Sequence, residues 1–308
     1  RDIAISNRNH AIAKFLSNPN TKPTAKHINQ NTRSSQNPPD PRALEKRIAK
    51  NLNQSLDGMV GLEKLKNYMA MDVAEFINGH QSMGRLYWGR PGVGKTELAQ
   101  RLAGLREGFP ALDLGNGGEV TYISGVDGKL EIRNLVDNMP PKSIVFIDEA
   151  DKCLDPEAGM VTTSEATQIR QAIITHYQRK PIFWVFIGVY ANMRNDQGGI
   201  NDDIIRKNFG DELAHRLDYS DWNFPDWTLE NLLKAVNDIS SRRRLKYDPE
   251  AALALSEYCL KSGGGVRAFD NLETAILRHI RGLGIDEAAA IAPAIAQDVL
   301  AKRQGQAA

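Results

Sequence analysis

The sequence has little cysteine and no long apolar run, and each absence excludes a class of protein. Cys153 and Cys259 are the two cysteines of a 308-residue chain. They are too few for a disulfide framework, and neither has the spacing of a metal-ligand motif. No stretch approaches the roughly 18 apolar residues of a transmembrane helix, and the start, RDIAISNRNH, lacks the apolar core of a secretory signal. We therefore expect a cytoplasmic protein with reduced thiols and no membrane partner.

The net charge of the chain is close to zero, but the charged residues are unevenly distributed along it. The whole chain carries +1; residues 1–56 hold ten Lys/Arg and three Asp/Glu, a charge of +7, which leaves −6 for residues 57–308. The region 18–41 is polar, contains several prolines and is too poor in large apolar side chains to offset ordering entropy. We expect a basic, largely flexible leader over 1–56, with a helix predicted in its DPRALEKRIAKNLNQSL stretch. This leader suits nucleic acid or an acidic protein surface, or is simply a solvated tail.

Short apolar segments alternate with amphipathic helical segments from residue 57 onward. The predicted strands are RLYW, EVTYIS, SIVFIDEA and IFWVFIGVY. Continuous apolar runs are typical of strands buried on both faces of a parallel sheet. Alternation of strands with helices predicts an α/β fold with right-handed crossovers, an αβα sandwich over 57–227. From 228 to 308 all patterns are helical, which predicts a small all-helical second domain.

A glycine-rich loop joins the first predicted strand to the next helix. Its sequence, GRPGVGKT at 89–96, fits the pattern GxxxxGK[ST]. Glycines allow successive backbone N–H groups to turn toward phosphate oxygens, and the helix N-terminus attracts the anion. Lys95 would reach the β and γ phosphates, and the Thr96 hydroxyl would bind Mg²⁺. The residues predicted to contact the nucleotide are Gly89, Pro91, Gly92, Val93, Gly94, Lys95, Thr96 and Glu97.

Two adjacent acids end the third predicted strand, in SIVFIDEADKC. Asp148 would hold Mg²⁺ together with Thr96, and Glu149 would orient and deprotonate the attacking water. Phosphoryl transfer depends mostly on positioning and charge neutralisation, so these groups supply the local chemistry. The letters D-E-A-D also occur in RNA helicases, but the sequence contains no pattern for a second motor domain.

Three further polar residues are candidates for the same site. Asn192 ends the fourth predicted strand and would sense the γ phosphate, or would be an ordinary turn residue. Arg216 in GDELAHRLDYSDWNF follows a helix and precedes a short strand. It would reach a neighbouring subunit's nucleotide as an arginine finger, a role for which Arg206 is the competing candidate. Otherwise Arg216 would be a surface residue at a helix C-terminus. Arg267 would close over the phosphates from the second domain, or would have a structural role there.

Six segments in order carry a resemblance to a known family. GMVGLEKLK, GRPGVGKT, IVFIDEADK, GVYANM, GDELAHRLD and GGGVRAFDNLE resemble the AAA+ ATPases, and among them the Clp-type unfoldases and the red-type Rubisco activases. The resemblance covers roughly residues 56–280. It implies a P-loop ATPase core followed by an AAA+ lid, ATP and Mg²⁺ as cofactors, and a homo-oligomeric ring, typically a hexamer.

The resemblance also implies a role for each matching residue. Lys95 and Thr96 match the Walker A pair, and Asp148 and Glu149 the Walker B pair. Adenine would be bordered by Met59, Val60 and Gly61. The remaining matches are Asn192 to sensor 1, Arg216 to the finger acting in trans, and Arg267 to sensor 2.

One departure from the family concerns the loop that grips a client. Threading unfoldases have an aromatic residue there, whereas this chain has SGVDGKLE at 124–131, with Val126 and Lys129. Our first hypothesis is a ring-forming ATPase that remodels a protein client. The alternative is a nucleic-acid-directed ATPase, based on the basic leader, Lys129 and the run SSRRRLKY at 240–247. A nucleotide-gated scaffold is disfavoured because Glu149 and Arg216 are both present.

Overall fold

The computed structural model describes residues 41–79, 81–125, 132, 138–158, 161–188, 201–219, 223–285 and 290–305. Asn192, Val126, Lys129 and residues 1–40 of the leader lie outside these ranges. The elements up to residue 219 are α1 (Pro41–Ser55), α2 (Glu63–Asn78), β1 (Met83–Trp88), α3 (Lys95–Leu102), β2 (Val120–Ser124), β3 (Ser143–Asp148), α4 (Ala150–Leu154), α5 (Thr163–Arg179), β4 (Ile182–Gly188), α6 (Asp202–Phe209) and α7 (Asp211–Ala214). They are followed by α8 (Leu229–Arg242), β5 (Lys246–Tyr247), α9 (Pro249–Lys261), α10 (Gly265–Leu283), β6 (Ala290–Ile291) and α11 (Pro293–Gly305).

The four predicted apolar segments form one parallel sheet in the order β1-β4-β3-β2. In register, Leu86 of β1 lies opposite Phe186 of β4. Every residue of β3 and β4 is buried, as the continuous apolar runs predict. Where a short strand is expected after Arg216, Asp218 and Asn223 form parallel bridges to β1, and residues 220–222 between them lie outside the described ranges. Because the strands are parallel, the ends of β1 and β3 that carry the glycine-rich loop and Asp148 lie at the same edge.

Both faces of the sheet are covered by apolar side chains. One face includes Phe146, Phe183 and Val185 and packs on α1, α2 and α3. The opposite face includes Trp184 and Phe186 and packs on α4 to α7. The αβα sandwich and the parallel sheet are confirmed.

The lid, defined as the described residues from 228 onward, has its own core. Its centre is formed by side chains from all four of its helices, among them Leu232, Leu255, Phe269 and Val299. The lid is not entirely helical, because β5 pairs in parallel with β6. Each of these strands has two residues, and a strand of that length has no periodic pattern that a sequence could reveal.

Helix α1 belongs to the compact part of the chain. Leu44, Ile48, Leu52 and Leu56 are all buried and pack in the same cluster as α2. The compact unit spans Pro39–Ala308, so its start differs from the boundary at 57 that we predicted. The reason is the four-residue spacing of these leucines and isoleucine, which gives an otherwise polar helix one apolar stripe to bury.

Among the described residues, every helix is too short or too polar to cross a lipid bilayer.

A buried ion pair fixes α2 to β1. Arg85 donates from Nε and Nη2 to the two carboxylate oxygens of Asp72, at 2.6 and 2.9 Å. Burial raises the pKa of Asp72 even though Arg85 acts in the opposite direction.

We expect Arg85→Met to destabilise the fold by about 3–5 kcal/mol, because it leaves the buried Asp72 carboxylate without its counter-charge. Urea unfolding followed by circular dichroism measures this change. The matched control is Lys207→Met, which removes an exposed pair with Glu157 and should leave the free energy of unfolding nearly unchanged. Equal effects of the two substitutions would contradict the prediction.

Candidate nucleotide site

A cleft of about 750 Å³ lies between the glycine-rich loop and the lid. Its lining combines the predicted loop with acidic and basic side chains from both parts of the fold. The predicted site residues among its lining are Met59, Val60, Pro91, Gly92, Val93, Gly94, Lys95, Thr96, Glu97, Asp148, Glu149 and Arg267.

The glycine-rich loop curves around the N-terminus of α3. Gly92 and Gly94 have φ angles of +79° and +96°, a region that side chains with a Cβ rarely adopt. Gly94 precedes the first turn of α3, which has no side-chain cap. Such a helix start is an anion-binding site, because its backbone N–H groups have no partner within the helix.

Lys95 is a buried cation inside the loop. Its Nζ donates to the carbonyl oxygens of Gly89 and Arg90, both at 2.7 Å. Burial lowers the pKa of Lys95 to about 8, against the attraction of Asp148. Two neutral carbonyls are poor compensation for a buried ammonium, so the chemistry of this position fits an anionic group such as a phosphate.

Asp148 and Glu149 stand at the edge of the sheet beside the loop. The Asp148 carboxylate accepts hydrogen bonds from the Tyr122 hydroxyl at 3.1 Å and from the Glu149 backbone N–H at 2.9 Å. Burial, followed by the nearby Asp148 charge, raises the pKa of Tyr122 to about 12, so its hydroxyl remains a donor. Asp148 is thereby held in one orientation.

Glu149 has a left-handed backbone with φ +50° and ψ +43°. This conformation is uncommon for residues with a Cβ and is often found at functional sites. The carboxylate is bonded to Lys152, with Nζ to Oε1 at 2.7 Å, and the side chain is 39% exposed. Glu149 is therefore accessible from the cleft while it is paired.

The backbone of these two acids also contacts the end of β2. The Gly125 N–H donates to the Asp148 carbonyl at 2.7 Å. A Cβ on Gly125 would lie 2.4 Å from the carbonyl oxygen of Glu149, so this approach requires glycine.

A magnesium ion would need oxygen donors here, and Thr96 and Asp148 both line the cleft. The ranges described hold no cluster of three or more His, Cys, Asp or Glu side chains suited to a metal. Mg²⁺ in nucleotide enzymes binds one or two protein oxygens and the substrate phosphates rather than a protein cage. The donor set therefore fits Mg²⁺ bound together with a nucleotide.

Met59, Val60 and a cation–π stack on Phe109 also line the cleft. The guanidinium of Arg101 lies 3.7 Å from the centroid of the Phe109 ring, and that of Arg242 lies 5.1 Å from it. Both arginines donate to the carbonyl oxygen of Asp57, at 2.6 and 3.2 Å. Because Arg242 belongs to the lid, this stack joins the lid to α3.

The run SSRRRLKY contributes to the same cleft. Arg242 is paired with Asp238, and Arg243 with Asp270 and Glu273. The alternative nucleic-acid hypothesis uses this run as a contact for phosphates, whereas two of its arginines line the cleft and pair with carboxylates. Arg242, Arg243, Arg244 and Lys246 are all exposed.

Not every predicted residue reaches the cleft. Gly61 faces the lid, since a Cβ there would lie 2.7 Å from the Asn231 side chain. Gly89 contributes the carbonyl that accepts from Lys95. Arg216 is not part of the cleft lining; its Nη2 contacts Glu212 at 3.2 Å and its guanidinium lies 5.6 Å from the Tyr177 ring.

Several cleft residues were missed from sequence. Six come from helices and loops outside the family segments, namely Arg101, Arg106, Phe109, Trp227, Arg242 and Arg243, and the seventh, Lys152, ends the segment IVFIDEADK. The DEADK segment does hint at Lys152, which follows Glu149 by three residues at helical spacing. The positions of the other residues in the sequence do not indicate that these residues would line the cleft.

Comparison with known proteins supports this description. Residues 85–193 match the family model described as ATPase family associated with various cellular activities (AAA). Solved structures of RuvB from Thermotoga maritima share the fold. A variant of it has a TM-score of 0.56 and 17% identity, covering 81% of this chain and 72% of that chain. A structure described as the RuvB Holliday junction branch migration motor has a TM-score of 0.55 and 16% identity, with the same coverage. No curated protein sequence matched the chain.

The fold and the matched domain define the class of protein as a P-loop ATP hydrolase with an AAA+ fold.

Proposed function

We propose that the protein is a subunit of a ring-forming ATPase that uses Mg-ATP hydrolysis to remodel a macromolecular client. The observation that carries this proposal is the convergence of Lys95, Asp148 and Glu149 on one cleft beside an uncapped helix start. ATP is the substrate whose charge and size suit that arrangement.

Each residue has a role that follows from its position. Lys95 and Arg267 would bind phosphate oxygens from opposite sides, because one lies in the loop and the other in the lid. Thr96 and Asp148 would hold Mg²⁺, which when bound neutralises the charge that develops on the transferred phosphoryl group. Glu149 would orient the attacking water and accept its proton. Adenine would lie against Met59 and Val60.

Hydrolysis would require a neighbouring subunit. The Nε of Arg216 is buried and makes no hydrogen bond, and its side chain is 32% exposed. Because part of the side chain is exposed, the guanidinium could also meet an acceptor supplied by a neighbouring subunit. Together with the family resemblance, this supports Arg216 as a finger acting in trans within a hexamer.

We favour a protein client because the six motif segments follow the order found in Clp-type proteins. The second candidate is a nucleic-acid client. Its support is the likeness in fold to RuvB, one structure of which is described as a branch migration motor. Arg242 and Arg243 of its basic run are paired with carboxylates but remain exposed, so these pairs do not decide between the two clients.

ATP turnover measured with and without a client distinguishes the two candidates. For a protein client we expect an unfolded protein such as casein to stimulate turnover and duplex DNA to have no effect. For a nucleic-acid client we expect stimulation by DNA that falls steeply between low and moderate salt. The Lys95→Ala variant is the control, since it should lose turnover under all conditions. The absence of stimulation by any macromolecule, including lysate proteins retained on a Glu149→Gln trap, would contradict the proposal.

A further inference from the structure

Trp227 links the base of the lid to the glycine-rich loop. It immediately precedes Thr228, the residue that caps α8. Its indole Nε1 donates to the carbonyl oxygen of Gly92 at 3.0 Å. The side chain also packs against the apolar clusters of both the sheet domain and the lid. The connection between the two parts of the fold therefore contacts the phosphate loop directly.

The glycines of the lid allow this contact. A Cβ on Gly265 would lie 2.3 Å from Trp227 Nε1 and 3.0 Å from the Gly92 carbonyl oxygen. A Cβ on Gly92 would lie 2.1 Å from the carbonyl oxygen of Gly264. These distances are too short for a side chain. Gly265 of the GGG sequence, and Gly92 opposite it, thus have a steric explanation, because two backbones and an indole meet here, whereas a Cβ on Gly263 would meet nothing within 4 Å.

The same contact determines where Arg267 lies. Gly265 is the first residue of α10, and Arg267 follows within the first turn. The Arg267 Cβ would lie 3.5 Å from a Cβ on Gly92. Any shift of the indole or of Gly265 would therefore also move Arg267 relative to the loop.

We infer that Trp227 is a positioning residue: its hydrogen bond to Gly92 fixes the phosphate loop against the lid and places Arg267 over the bound phosphates. This inference rests on the proposed function, in which ATP phosphates bind the loop. Through the hydrogen bond between Trp227 and Gly92, the orientation of the lid depends on the conformation of the phosphate loop. Because both partners belong to the same subunit, the effect on ATP affinity does not require assembly.

Two substitutions test the hydrogen bond. Trp227→Phe keeps an aromatic ring without the donor. Site-specific replacement of Trp227 by 3-benzothienylalanine keeps the bicyclic shape and substitutes sulfur for the N–H. We expect both to weaken binding of Mg-ATPγS about 3- to 10-fold, the effect of losing one hydrogen bond to a loop carbonyl. Trp184→Phe is the matched control; Trp184 is buried in the sheet and stacks on Tyr177, and this variant should bind normally.

Tryptophan emission provides a second readout that a merely structural role would not change. We expect Mg-ATPγS to alter the emission of the wild type and of Trp184→Phe, and to have much less effect on Trp227→Phe. Unchanged affinity in both Trp227 variants would overturn the inference. Weak binding in Trp227→Phe with normal binding in the sulfur analogue would also overturn it, since packing alone would then explain the effect. If Lys95→Ala binds Mg-ATPγS normally, the proposed nucleotide site itself is wrong.

Discussion

Replacing Arg216 by alanine is expected to lower the ATP turnover of the assembled protein by about 10³-fold or more, with little change in ATP affinity. The side chain lies outside the cleft lining of its own subunit and contacts Glu212 and Tyr177 instead. It would therefore act on the transition state in an adjacent subunit rather than on the bound ground state. Steady-state turnover and Mg-ATPγS affinity measure the two quantities.

Assemblies that contain two different variants test directly whether Arg216 acts on a neighbouring subunit. Subunits with Arg216→Ala keep an intact cleft but lack the finger, whereas subunits with Glu149→Gln keep the finger but lack the base. We expect neither variant to turn over ATP alone and their mixture to recover part of the wild-type rate, because complete sites form where the two meet. Arg206→Ala is the matched control; Arg206 lies exposed on α6, and its loss should have little effect. Full activity of Arg216→Ala would make Arg206 the finger instead.

Glu149→Gln should reduce turnover by about 10²–10⁴-fold while Mg-ATP remains bound. The amide has nearly the shape of the carboxylate and is compatible with the same backbone, but it cannot accept a proton from water. Asp148 and Lys95 are unchanged in this variant, so the groups proposed for the metal and the phosphates stay in place. Single-turnover hydrolysis measured beside nucleotide binding separates the chemical step from affinity.

Glu157→Gln is a suitable control for this experiment. Glu157 lies in the turn after α4 and forms an exposed pair with Lys207, so its substitution should not affect turnover. Hydrolysis by Glu149→Gln at a rate near that of the wild type would exclude Glu149 as the base. It would also favour the hypothesis of a scaffold in which nucleotide acts as a switch.

The sheet and the phosphate loop could be predicted because local sequence determines them. A strand buried on both faces must be apolar throughout, and this requirement identifies β3 and β4 directly. The loop needs glycine where φ is positive, and Gly92 and Gly94 meet that need. Asp148 follows from the same rule, since it ends a continuous apolar strand, and the carboxyl ends of parallel strands lie at one edge of the sheet.

Apart from Arg267, the lid side of the cleft could not be predicted, because it depends on how two parts of the chain meet. Arg242 and Arg243 belong to a run of three arginines that suggests a surface for polyanions. In the fold they are paired with Asp238 and Asp270 and line the cleft. Trp227 likewise has the appearance of an ordinary core aromatic until its distance to Gly92 is known. No local periodicity specifies contacts over such separations in the chain.

The approach of Gly125 to the backbone of Asp148 and Glu149 has a mechanical consequence. The chain beyond Gly125 enters residues 126–131, the segment that the family resemblance assigns to the client. Immediately before that segment, the Gly125 N–H donates a hydrogen bond to the Asp148 carbonyl. A client that moved this segment, as the resemblance implies, would therefore displace the backbone of the acid pair through two direct connections. These are the Gly125 hydrogen bond and the pairing of Ser124 with Asp148 at the ends of β2 and β3.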